Sequence, residues 1–196
     1  MNRLILGLAV FFGVHSISLL ALGWRNRVAE RLGSRAWQGI YSVAALLGFY
    51  LLVTGFGAAR ASAAVLYVSP PWFHYIAALL MLPAFTLALA SVLPGHIRAR
   101  TQHPLLLATM LWAVAHLLTN GSVADLLLFG SFLVWSVAVR ISVERRLARP
   151  MRALPASTAN DAIAVVGGLA LYAIFILWLH ARWIGVPVLA PGAISM

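Results

Sequence analysis

Apolar runs of helix length alternate with short arginine-bearing segments along this chain. The runs fall at 3–23, 37–58, 72–93, 104–119, 122–139 and 161–181. A helix needs about 20 apolar residues to cross the hydrocarbon core of a bilayer. The pattern therefore predicts an all-α integral membrane bundle of six transmembrane helices. It forms a single transmembrane domain over 1–185, followed by a short tail at 186–196. The fourth and fifth runs are the shortest and are joined by Asn120-Gly121, the signature of a tight hairpin turn.

Local signals mark several of these ends. Pro70-Pro71 stands where the third helix should start, with Trp72, Phe73 and Tyr75 as an interfacial aromatic belt. Ser122-Val-Ala-Asp125 and Thr158-Ala-Asn-Asp161 both have the spacing of a capping box opening an apolar helix. Pro83 lies inside the third run, where it removes a backbone donor and frees the Leu79 carbonyl.

Composition narrows the class. Charged residues make up 9% of the chain and hydrophobic ones 63%, with a mean hydropathy of +0.96. Soluble domains carry about a quarter charged residues, so the partner of this surface is the lipid bilayer. There is no cysteine, which excludes disulfides, thiolate metal sites and cysteine nucleophiles. A formal charge of +10 invites a nucleic-acid reading, but all fourteen basic residues are arginines clustered at the ends of apolar runs. No segment is long enough to present the basic face of a soluble nucleic-acid-binding domain.

The arginines orient the chain. With the N-terminus outside, eleven face the cytoplasm: Arg25, Arg27, Arg31, Arg35, Arg98, Arg100, Arg140, Arg145, Arg146, Arg149 and Arg152. Three remain outside: Arg3, Arg60 and Arg182. The positive-inside rule then places both termini on the outer side, the periplasm in a bacterium. The first run is long and closely followed by four arginines, so it reads as a retained helix, not a cleaved export signal.

Candidate chemistry rests on the histidines. His96 and His103 fall at the cytoplasmic boundary, His74 and His180 at the outer one, where a wetted imidazole needs no function. His103 precedes Pro104 and so belongs to the extended residue entering the fourth helix. His15 and His116 lie well inside their helices, at about 13 Å and 18 Å from the cytoplasmic end. Histidine is costly there. Trp112, His116 and Asn120 follow at i, i+4 and i+8, with Thr109 on the same side; Ser18, Phe11 and Gly7 continue the His15 stripe. Two readings stay open. The two imidazoles are axial ligands of one flat cofactor, or each merely bonds a neighbouring helix. Asp125 likewise either caps its helix or orients His116 as a carboxylate partner.

The motif QHPLLL-x3-LWAVAHLL-x-NG with the following LLLFGS resembles the signature of the NnrU family of bacterial membrane proteins. His15-Ser16 in the first helix, RLGSRAWQGIYSV after it and RARTQHP before the motif agree. The resemblance covers about residues 1–150. It implies an inner-membrane protein associated with denitrification, that is, nitrite and nitric oxide metabolism. Partners would be denitrification or respiratory membrane proteins.

The family is similar to 15-cis-zeta-carotene isomerase, a membrane enzyme with haem b. Its haem histidines lie in H-S and W-x-x-A-H motifs, here His15 and His116, with Trp112 and Asn120 beside the second. Electron transfer, sensing and isomerase-like chemistry are all implied. Two departures stand out. Ala113 occupies the place of the isomerase's cysteine three residues before the second histidine, which puts ligand switching in doubt. Ser122 follows Asn-Gly where relatives often carry an acid, and the acid comes at Asp125 instead.

A more distant likeness is to isoprenylcysteine-type membrane methyltransferases, through His103-Pro104 and Arg140-x3-Glu144-Arg145. The acidic and aromatic donor-binding segment of those enzymes has no counterpart after Glu144. A cofactor-free assembly factor or small transporter is the third reading.

Overall fold

A computed structural model describes residues 1–144 and 157–188. The cytoplasmic assignments of Arg145, Arg146, Arg149 and Arg152, and the tail from 189 on, lie outside the described residues. The described chain is helical apart from turns and one isolated bridge, Val65 with Ser122. It divides into two compact units, one formed by 1–66 with 122–131 and the other by 67–121 with the residues from 132 on.

In the first unit, α1 (Asn2–Leu20) packs against α3 (Ser34–Arg60). The helices are antiparallel: Gly48 faces Phe11 and Gly55 faces Leu4. A Cβ on Gly55 would stand 2.5 Å from the Leu4 nitrogen, and one on Gly48 2.8 Å from that of Phe11. Only glycine permits this backbone approach. Helices in lipid associate through such small-residue contacts, because apolar surface gains nothing by leaving apolar solvent.

Between them lies an element the apolar pattern did not show. The first run ends at Ala21, whose φ of −132° and ψ of 44° break the helix. The arginine-bearing segment then forms α2 (Leu22–Leu32), bent 83° from Asn2–Ile17. Its charges cannot follow α1 through hydrocarbon, yet the periodic Trp24, Val28 and Leu32 give it one apolar stripe. Trp24 meets the buried Trp37 edge to face at 6.0 Å. The unit is completed by α7 (Val123–Asp125) and a π-helical turn at Leu126–Gly130, whose Phe129 meets Phe56 of α3 at 5.8 Å.

In the second unit, α4 (Phe73–Ala90) packs against α6 (Pro104–Thr119) and α9 (Thr158–Ile174). The short α5 (His96–Thr101) links α4 to α6. Pro83 lies inside α4, and Pro104 opens α6 after His103, as the sequence leads one to expect. Gln102, between α5 and α6, has φ 60°, and the His103 amide donates to the Thr101 carbonyl at 2.7 Å. This is the tight, sterically unfavourable form of γ-turn. Arg140 of α8 (Ser131–Glu144) donates to the same carbonyl at 2.9 Å and pins the turn. After α9, a π-helical turn at Phe175–Leu179 leads into α10 (His180–Ile184).

The second expected capping box is not formed. Ser157, one residue before Thr158, caps α9 by accepting from the Ala159 amide at 3.2 Å. Asp161 instead accepts from the amides of His96 at 2.8 Å and Ile97 at 3.0 Å, and from the His96 ring at 3.0 Å. The first amides of α5 have no partner in their own helix, and the carboxylate satisfies two of them. A Cβ on Gly95 would come 2.3 Å from that carboxylate, so a larger residue there would push the carboxylate aside.

Among the described residues, four helices are long and apolar enough to cross a membrane: Ser34–Arg60, Phe73–Ala90, Val123–Val143 and Thr158–Ile184. Counting α1 with α2 as one broken span gives five. At 16 residues α6 is shorter, about 24 Å at 1.5 Å per residue.

Candidate functional site

The two histidines singled out by depth belong to different units, His15 to the first and His116 to the second, and each has its own surroundings. His15 Nδ1 lies 2.7 Å from the Phe11 carbonyl, one turn back on α1. A carbonyl only accepts, so Nδ1 carries a proton in this bond. The ring is stacked on Phe11 (centroids 4.1 Å apart) and meets Tyr41 at 5.7 Å. The backbone bond and the stack together hold the imidazole in one orientation.

His116 repeats this arrangement on α6. Its Nδ1 donates to the Trp112 carbonyl at 2.8 Å, and its ring lies 5.1 Å from the Trp112 ring. Trp112 is held in turn by Phe132, edge to face at 5.4 Å. Asn120 closes the ladder, donating from Nδ2 to the His116 carbonyl at 3.0 Å and to Thr119 Oγ1 at 3.0 Å. The structure thus brings Trp112, His116 and Asn120 together on one face. Tyr67 reinforces the end of that face, its hydroxyl donating to the carbonyls of Leu117 and Asn120, which end-of-helix geometry leaves open. Ala113 is fully buried.

Asp125 serves its own helix. Its Oδ2 accepts from the Ser122 amide at 3.0 Å, and Ser122 Oγ accepts from the Asp125 amide at 3.2 Å, a complete capping box. The position foreseen for an Asp125 oxygen beside the His116 N–H is taken by the Trp112 carbonyl. Asp125 Oδ1 is buried, makes no hydrogen bond, and faces Arg60 Nε at 3.9 Å. Sequence reasoning missed this ion pair. Its only signal was an arginine closing one apolar run and an acid opening another on the same side.

The boundary histidines differ in setting more than in bonding. His74 Nδ1 donates to Pro71 and His180 Nδ1 to Val186, both carbonyls of loop residues. His96 is exposed and paired with Asp161. A carbonyl bond at Nδ1 therefore does not single out a ligand. Each of His15 and His116 also lies against the aromatic ring four residues back on its own helix, Phe11 or Trp112, with His116 in the last turn of α6. No cluster of three or more His, Cys, Asp or Glu suited to a metal ion occurs among the described residues. Two imidazoles suffice for haem iron.

Helices of this length and apolarity define a multi-pass membrane protein. The sequence profile described as NnrU protein matches residues 3–188, almost the whole chain. The chain belongs to the NnrU family. No curated protein and no solved structure matches it.

Proposed function

We propose that this NnrU-family protein binds one haem b, which the imidazoles of His15 and His116 would hold. It would lie in the bacterial inner membrane with six spans and both termini outside, and act in nitrite and nitric oxide metabolism. The observation that supports the reading most is the aromatic ring that stands four residues back against each imidazole, Phe11 for His15 and Trp112 for His116. Each also donates Nδ1–H to the carbonyl four residues back, which orients the ring, so that Nε2 would be the ligating nitrogen. Both rings are held against an aromatic neighbour, Phe11 or Trp112.

Held by His15 and His116, a haem would supply one-electron transfer. The chain's part is to present two imidazoles of fixed orientation in an apolar setting. Asn120 steadies the His116 turn from below, and Tyr67 anchors the end of the same helix. Ala113 offers no thiolate to take the place of an imidazole. This favours electron transfer or sensing over isomerase-like ligand switching.

The test is the absorption spectrum of protein purified in detergent after haem-replete expression. A Soret band is expected in the unmodified protein. It should be lost or altered in His15→Ala and in His116→Ala, and kept in His74→Ala. A colourless protein overturns the proposal and leaves the cofactor-free or methyltransferase reading.

A further inference from the structure

The least explained element is α2. Helices that stay in water show a polar surface, and helices in a core bury one face. This one does neither. None of its eleven residues is buried, and Trp24 and Leu32 are 48% and 51% exposed. Trp24, Val28 and Leu32 recur at i, i+4 and i+8, so they form one stripe. Arg27 and Arg31 follow the same spacing along its flank, and Arg35 lies just beyond at the start of α3. All three are exposed. Over 22–35 there are four arginines against a single acid, Glu30.

The direction of the helix completes the picture. The 83° bend turns α2 almost at right angles to α1, so wherever α1 crosses the bilayer, α2 runs along its plane. Trp24 is fixed by its edge contact with Trp37, which keeps the stripe from rotating. An amphipathic helix with Trp and Leu on one side and arginines beside them is the form that settles at a headgroup boundary. Arginine also suits phosphate better than lysine, because its fork of donors matches the oxygens.

We infer that α2 is an interfacial helix that binds anionic phospholipid, the Trp24–Val28–Leu32 stripe entering the acyl boundary while Arg27, Arg31 and Arg35 hold headgroup phosphates. The occupant is lipid on the grounds of charge complementarity and of the bend. The inference is independent of haem and of which way the chain faces.

The full chain is reconstituted in vesicles of phosphatidylcholine containing a small share of brominated lipid, and tryptophan quenching is measured. Subtracting the signal of Trp24→Phe isolates Trp24. Brominated phosphatidylglycerol should quench Trp24 more than brominated phosphatidylcholine at the same mole fraction. The combined variant R27Q/R31Q/R35Q should raise the phosphatidylglycerol share needed for half-maximal quenching by at least about tenfold, since each basic residue near the surface contributes to the attraction. If that variant does not fold, high salt applied to the unmodified protein must erase the preference. Equal quenching by the two lipids, absence of Trp24 quenching, or a preference untouched by the variant and by salt would each overturn the inference.

Discussion

Asp125 and Asp161 occupy the same place in the same short pattern, a hydroxyl residue followed three positions later by an acid, and they do different work. Asp125 closes a local box with Ser122 and faces Arg60. Asp161 turns away from its own helix and caps α5, 65 residues earlier in sequence, while Ser157 takes the cap that Thr158 was expected to supply. The spacing places a carboxylate near the end of its helix. Which amides it serves depends on what else needs a partner nearby, and the unpaired start of α5 is a stronger claimant than α9, which already has Ser157.

Substitutions separate the two roles. Asp125→Ala should have the largest effect, because it strips a buried amide of its acceptor and takes from Arg60 a buried carboxylate. A loss of about 2 kcal/mol is expected, read as a fall in the apparent Tm in detergent. Asp161→Ala should act on α5 at a distance, with the amides of His96 and Ile97 losing hydrogen-exchange protection. Gly95→Ala should reproduce this loss by displacing the same carboxylate. If exchange instead rises in the first turn of α9, Asp161 is a local cap after all. The smallest effects distinguish neighbours: Ser157→Ala should cost about 0.5–1 kcal/mol as a lost cap, and Thr158→Ala less than about 0.5 kcal/mol. The reverse order would restore the expected box.

The same contrast between local and distant partners explains what the sequence made legible. The bounds of α6 fall at 104–119 as expected, because Pro104 and Asn120-Gly121 act on the residues beside them. The Ser122 box is likewise local. α2 was hidden because hydropathy sees its arginines, and only three residues carry the apolar stripe. The π-helical turns at Leu126–Gly130 and Phe175–Leu179 leave no mark in composition, being choices of hydrogen-bond register within apolar helices.

At the candidate site, depth picked out His15 and His116, although α1 ends at Leu20, five residues past His15, and His116 lies in the last turn of α6; periodicity placed Trp112 and Asn120 on the face of His116. What periodicity did not supply was the Nδ1 partner. It proved to be a carbonyl one turn back, available to any helical histidine in the right rotamer, and not Asp125.

Haem binding through both His15 and His116 would place two imidazoles on one iron. It is tested most directly by the near-infrared magnetic circular dichroism of the ferric protein, whose charge-transfer band reports the pair of axial ligands. A bis-imidazole band is expected in the unmodified protein, kept in His74→Ala and lost in both His15→Ala and His116→Ala. A protein without haem, or a bis-imidazole band that survives either substitution, would contradict it.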